Sequence, residues 1–360
     1  MKAFKNASVY AEGKGIIRTS VYFDDKIRQI GGYVAGAEEI ELPENAVVLP
    51  GFIDEHIHGA GGSDAMDGNT KDLAIIAETV AKEGTTSFLA TTMTQSKENI
   101  LKAMRAVKEY REAAGEQGAR IAGVHLEGPF IAAAHKGAQP LEYVAAPDAK
   151  TFDEYNAACG NAIKIITLAP ETDGALDFIR HIVAQGTVVS IGHTGAKYAE
   201  VKAAMETGAT NVTHTYNAQS PLHHREIGVV GSALLLEDLY CELICDTIHV
   251  SVPAMQLLVK NKRADKLALI TDAMRAKGLA DGTLAGSVLR MNRALQNMVE
   301  KVGVPFTQAV DYCTINPART LKMENEAGSI AEGKRADFAV LNDKFDVLYT
   351  VRDGKIIYKA

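Results

Sequence analysis

Eight short apolar runs, several of them separated by helix-like segments, occupy the middle of this chain and leave few architectures open to it. The runs span residues 52–56, 86–90, 120–125, 163–168, 187–191, 210–213, 240–245 and 267–271, and the helical patterns span 71–83, 96–111, 175–185 and 199–206. Gly84, Gly186 and Gly208 follow three of the helical patterns, where a left-handed cap residue is wanted. Strands joined by helical crossovers run parallel, and eight of them predict a sheet closed into a barrel. The two ends read differently. Residues 1–50 carry short alternating strands with a turn at Ala11-Glu12-Gly13-Lys14-Gly15, and the tail alternates around an Asp353-Gly354 hairpin turn. The expected fold is therefore α/β: a (β/α)8 TIM-like barrel over 51–334 beside a small β-sandwich domain built from both chain ends, 1–50 plus 335–360. No internal repeat or low-complexity segment stands out.

A length of 360 residues suits one large barrel with an appendage. The net charge of -7 gives no support to a nucleic-acid partner, and no apolar stretch is long enough to span a membrane. Met1-Lys2-Ala3-Phe4-Lys5-Asn6 lacks the apolar core of an export signal. Cys159, Cys241, Cys245 and Cys313 show no paired zinc spacing, and Cys241 and Cys245, four apart on one strand face, read as buried thiols. A reduced cytoplasmic setting is expected.

Catalytic groups in such barrels cluster at the C-terminal ends of the strands. His56 and His58 end the first strand, and residues two apart on a strand share a face, so both imidazoles can reach one cation. The third strand leads into Glu127-Gly128-Pro129, the fifth into Gly192-His193-Thr194, and the sixth into Thr213-His214-Thr215. The seventh ends in Asp246-Thr247-Ile248-His249 and the eighth in Thr271-Asp272-Ala273. Taken singly, each has a structural reading: Glu127 capping a turn, His193 or His214 satisfied in the core, Asp272 capping a helical turn. Four histidines and two carboxylates at one rim are poorly explained by six separate accidents. Glu127, His193 and His214 form a His₂Glu set that leaves positions open for water and substrate, as catalytic zinc sites do. His56, His58 and Asp272 complete a second site, with Glu127 bridging. A bound divalent ion lowers the pKa of its water to roughly 7 and polarises a carbonyl oxygen. Asp272 is then the natural proton carrier.

In this order, Pro50-Gly51-Phe52-Ile53-Asp54, His125-Leu126-Glu127-Gly128-Pro129-Phe130, Gly192-His193-Thr194, Thr213-His214-Thr215-Tyr216-Asn217-Ala218, Thr271-Asp272-Ala273-Met274 and Thr283-Leu284-Ala285-Gly286-Ser287 resemble the amidohydrolase superfamily, and within it the N-acetylglucosamine-6-phosphate deacetylases. Asn316-Pro317-Ala318 and Gly333-Lys334-Arg335-Ala336-Asp337 resemble the wider superfamily. The resemblance implies hydrolysis of the acetamide of N-acetylglucosamine 6-phosphate to glucosamine 6-phosphate and acetate. Asp272 would take the proton of the attacking water and return it to the departing amine. By matching position, Asn217, Ala218, Arg225 and His249 would hold the substrate, chiefly its phosphate. Ala138 and Gln139 would lie at the sugar, and Leu284, Ala285 and Gly286 would line the acetyl pocket. The cofactor would be one or two divalent metal ions; zinc, iron, manganese and cobalt all suit such ligands, and the sequence does not distinguish them. The partners implied are a phosphorylated amino sugar and a second copy of the chain.

Two departures from the family pattern stand out. Some members carry histidine where this chain has Gln139; both can hydrogen-bond a sugar hydroxyl. In addition, a longer segment separates the two halves of residues 276–287 in the family. Either a tight link through Gly278 and Gly282 replaces it, or a mobile loop is missing from the sequence; the intact flanks favour the second, and intact mass decides. The nearest enzyme alternatives are the galactosamine epimer's deacetylase, a cyclic amidase or a deaminase. A non-catalytic barrel is the alternative from another class, set against retention of every expected ligand and Asp272.

Overall fold

The computed structural model describes residues 1–113, 117–279 and 287–360. The N-terminal segment forms β1 (Lys2–Ala11), β2 (Gly15–Phe23), β3 (Ile27–Ile30), β4 (Glu38–Glu39) and β5 (Val47–Pro50). The barrel strands are β6 (Phe52–Ile57), β9 (Thr85–Thr92), β10 (Arg120–Glu127), β11 (Ile163–Leu168), β12 (Val188–Ile191), β13 (Asn211–Val212), β14 (Tyr240–Ile244) and β15 (Leu267–Ile270). A two-residue ribbon, β7 (Gly59–Ala60) with β8 (Ser63–Asp64), follows β6, and the tail adds β16 (Phe338–Leu341), β17 (Val347–Arg352) and β18 (Lys355–Lys359).

All neighbouring barrel strands pair in parallel, in chain order from β6 to β15. Between β15 and β6 the closure falls to Asp54 and His56 of β6 and the two residues just after β15. The Asp54 carboxylate accepts from Thr271 N (3.3 Å) and Thr271 Oγ1 (2.6 Å), while Asp272 N donates to the His56 carbonyl at 2.9 Å. The four helices read from the sequence are present as Thr70–Ala81, Lys97–Glu112, Ala175–Ala184 and Tyr198–Thr207. Asn69 and Ser96 cap the first two by accepting backbone N–H groups at their N-termini.

The barrel interior is layered. Inward positions near the N-terminal ends are apolar: Ile53, Leu89, Ala122, Ile165 and Val188, plugged from below by Ala318 and Leu321. Two residues further along the same strands the inward positions turn polar, since alternate residues share a face. Thr167 follows Ile165, Ser190 follows Val188, and their hydroxyls join Thr213 in a chain of 2.6 and 2.7 Å bonds. The rim of histidines and carboxylates thus stands on a satisfied polar layer, which stands on an apolar floor.

The two chain ends form one sheet in the order β18-β17-β16-β5-β1-β2-β3, with β4 beside β1. Its core packs Phe4, Phe23 and Phe338 ring against ring at 5.0–5.4 Å. β5 passes into β6 through Gly51, whose N–H bonds the Asp337 carbonyl at 2.9 Å. A side chain on Gly51 would overlap Thr86, so the crossing from sheet to barrel requires glycine. Both hairpin turns read from the sequence are present, joining β1 to β2 and β17 to β18.

Candidate active site

Six side chains converge at the C-terminal rim: His56 and His58 from the end of β6, Glu127 from the last position of β10, and His193, His214 and Asp272 from the turns after β12, β13 and β15. The four imidazoles and Glu127 are buried, whereas the Asp272 side chain is 20% exposed and faces the mouth. Three of the six have backbones that L-residues seldom adopt: His193 at φ 48, His214 at φ 27 and Asp272 at φ 45. Tyr216, Ala218 and Thr247, on the same rim loops, share this feature. Backbone strain of this kind persists where the surrounding fold over-determines it, and it concentrates at functional sites.

Glu127 is the hub. Its Oε1 lies 3.4 Å from His56 Nε2, 3.2 Å from His193 Nε2 and 3.1 Å from His214 Nε2, and its Oε2 lies 3.3 Å from His58 Nε2. Asp272 Oδ1 stands 3.2 Å from His58 Nε2 and 3.5 Å from His56 Nε2. Two sets of three, Glu127/His193/His214 and His56/His58/Asp272, each bring one ligand atom per residue together. Tetrahedral coordination with bonds near 2.05 Å separates donor atoms by about 3.3 Å, so these spacings suit a shared cation.

The ring orientations test the fit further. His193 Nδ1 donates to the His135 carbonyl at 3.0 Å, which turns a lone pair on Nε2 toward the centre. His56 Nδ1 is held 2.9 Å from Glu242 Oε2, and its Nε2 is otherwise a buried nitrogen with no hydrogen-bond partner. His193 Nε2 and His214 Nε2 face each other at 3.1 Å. Burial disfavours the charged form of His58, but Asp272 and Glu127 outweigh it and lift its pKa to about 10. The cluster draws in positive charge, as a cation site must, and the residues present fit divalent metal.

A third grouping, His56, His125 and Glu242, has a different role. His125 is held by the Glu55 carbonyl at 3.1 Å and Thr167 Oγ1 at 2.7 Å, and burial pushes its pKa down to about 4. It is a neutral, fully satisfied barrel histidine. Glu242 is the candidate site residue that reading the sequence missed. It accepts from His56 Nδ1 and from His214 N (3.1 Å), so it orients one proposed ligand and the backbone of another. The signal was a lone carboxylate inside the apolar run of β14, where an unpartnered charge would be costly. Glu242→Ala is expected to weaken metal binding about 10–100-fold, with Glu242→Gln falling between it and the parent. Competition against a graded chelator measures this, and unchanged affinity in both variants would remove Glu242 from the site.

The expected substrate residues are placed unevenly. Gln139 is buried, with Nε2 2.6 Å from Glu127 Oε2 and Oε1 accepting from Thr94 N at 2.6 Å, so its amide steadies the hub. Ala138, just before it, is exposed. Asn217 bonds back to the His214 carbonyl, and the Ala218 carbonyl accepts from Thr194 N at 3.1 Å. Arg225 is exposed on the loop after Pro221, its Nη1 2.8 Å from His224 Nε2. His249 is exposed and tied to Asp246 at 2.6 Å, a bond that favours its protonated form. Neither Arg225 nor His249 bonds the imidazole cluster, among the described residues. Leu284, Ala285 and Gly286, with the short connection around them, lie outside the described residues.

Residues 47–357 match the model of the amidohydrolase family. The chain is 40% identical over 345 residues to the N-acetylglucosamine-6-phosphate deacetylase of Bacillus subtilis (strain 168), covering 89% of this chain and 87% of that protein. The solved N-acetylglucosamine-6-phosphate deacetylase from Pasteurella multocida is similar over 100% of both chains, with a TM-score of 0.92 and 31% identity. A mutant of the Mycobacterium smegmatis enzyme in complex with N-acetyl-D-glucosamine-6-phosphate is similar over 99% of both chains, with a TM-score of 0.90 and 28% identity.

Proposed function

The chain belongs to the amidohydrolase family, and from that premise we propose that it hydrolyses the acetamide of N-acetylglucosamine 6-phosphate, releasing glucosamine 6-phosphate and acetate. The observation that carries this reading is the Glu127-centred cluster with Asp272 at its open edge. Glu127, His193 and His214 would hold one divalent ion and His56, His58 and Asp272 a second, zinc, iron or manganese all being compatible with the donor set. When bound, such an ion polarises a carbonyl oxygen and makes water a stronger acid. The chain's own groups supply the rest. Asp272, the most exposed member of the cluster, accepts a proton from the attacking water and returns it to the amine nitrogen as the C–N bond breaks. Gln139 and Glu242 keep Glu127 and His56 aimed inward.

For the phosphate, Arg225, His249, Asn217 and Ala218 are the proposed grip, with Ala138 beside the sugar and Leu284, Ala285 and Gly286 at the acetyl group. The planar guanidinium suits two parallel bonds to phosphate oxygens. Two copies are proposed to pair through the exposed apolar side chains Leu222 and Ile248, 53% and 74% exposed and close in the chain to Arg225 and His249. A cytoplasmic setting rests on the four buried free thiols. No helix among the described residues is long and apolar enough to cross a membrane.

Acetate release from N-acetylglucosamine 6-phosphate, its galacto epimer and the unphosphorylated sugar tests the reading. The first is expected to be the best substrate; a preference for the galacto epimer would transfer the assignment, and no release from any, in metal-loaded protein, would overturn it. Arg225→Ala is expected to lower kcat/KM for the phosphorylated sugar about 10–100-fold, as loss of charge-assisted bonds should, and to leave the unphosphorylated sugar almost untouched. Equal losses on both would place Arg225 away from the phosphate.

A further inference from the structure

At the opposite end of the barrel from the rim lies a cleft of about 650 Å³, between the barrel floor and the sheet made by the chain ends. Seven lysine or arginine side chains line it, against two carboxylates, Glu326 and Asp353. This excess of positive charge sits on a chain whose net charge is -7.

Part of the cluster is structural. Arg120, the first residue of β10, pairs with Asp337 at 3.2 Å and Asp353 at 2.5 Å, and Arg335 pairs with Asp353 at 3.2 Å and Glu326 at 2.9 Å. These bridges fasten the tail to the barrel and use up the carboxylates. Arg111, Lys164 and Lys322 form no ion pair among the described residues, although Lys322 Nζ donates to the Gly186 carbonyl at 3.2 Å. Burial, more than the neighbouring Arg120 guanidinium, pulls Arg352 below the ordinary arginine value, while Asp353 and Asp337 act the other way. Tyr110, Leu321 and Met323 give the same cleft an apolar wall.

We infer that this floor cleft is a second ligand site, which binds a small phosphorylated metabolite with Arg111, Lys164 and Lys322 on the phosphate and the Tyr110 side on its carbon skeleton. A cleft walled by protein focuses the field of the cations that line it, and its volume lies in the range of small-molecule sites. It is separate from the rim. Arg120 and Glu127 are the two ends of one strand, roughly 20 Å apart, and the apolar interior layer lies between them.

The test uses the full chain, with inorganic phosphate and glucose 6-phosphate as probes and amide hydrogen exchange as the readout. Either probe is expected to slow exchange at residues 320–323 and 352–355, equally in the parent and in Arg225→Ala. The pair Lys164→Glu and Lys322→Glu is expected to weaken that protection at least about tenfold while leaving the melting temperature of the anion-free protein nearly unchanged. Should the pair disturb folding, Arg111→Glu, at an exposed residue, carries the same expectation. Absence of protection at the floor, protection confined to the rim, or protection that survives charge reversal would each overturn the inference. None of these readouts depends on whether the rim cleaves an acetamide.

Discussion

Replacing Asp272 with asparagine is expected to cut turnover by at least about a hundredfold, the low end for loss of an acid–base group, in a protein that still folds. The substitution is a clean one for structural reasons. Asp272 holds φ 45, a conformation asparagine tolerates, and its backbone N–H keeps its bond to the His56 carbonyl. What disappears is the capacity of a carboxylate to take a proton at the edge of the cluster. The Glu127/His193/His214 set is untouched, so metal at that position should be retained. Steady-state acetate release with metal analysis on the same sample decides: turnover within a few-fold of the parent would take Asp272 out of the chemistry.

The second large effect is expected from Glu127→Ala. This one carboxylate lies within 3.4 Å of four imidazole nitrogens, so removing it would strip a ligand from the proposed Glu127/His193/His214 site, the principal one, and the proposed bridge to the other. The variant should retain almost no metal after dialysis, and acetate release should fall to background. His193→Ala or His214→Ala should empty the principal site in the same way, with His56, His58 and Asp272 left in place. Glu127→Ala protein that holds the parent's full metal content would show that Glu127 is not the hub, whatever its activity.

Much of the architecture was legible because the signals are local. Apolar runs and helical periodicity located every barrel strand to within a few residues, and parallel pairing follows from helical crossovers of adequate length. Gly84 and Gly186 adopt the left-handed conformation expected after a helix, at φ 87 and φ 85. The rim was legible because strand ends are fixed points: once β6, β10, β12, β13 and β15 are placed, His56, Glu127, His193, His214 and Asp272 must meet. Glu242 was not legible as a ligand-orienting group, since its partner His56 lies 186 residues away and a strand carboxylate has no local signature of its partner. Gln139 was read for the sugar, and only the fold brings its amide to Glu127.

By itself, then, the sequence determined the order of strands and helices, the parallel barrel, the joining of the two ends in one small β domain and the identity of the six rim groups. All of these rest on periodicity, turn chemistry and residue type at strand ends, which act over a few residues. The tertiary structure alone decided how the barrel closes, through Asp54 and Thr271, and which way each imidazole points, through His135 and Glu242. It alone gathered the cations of Arg111, Lys164 and Lys322 into one cleft. Those arrangements depend on contacts between residues far apart in the chain, whose distances and orientations become fixed only when the layers pack.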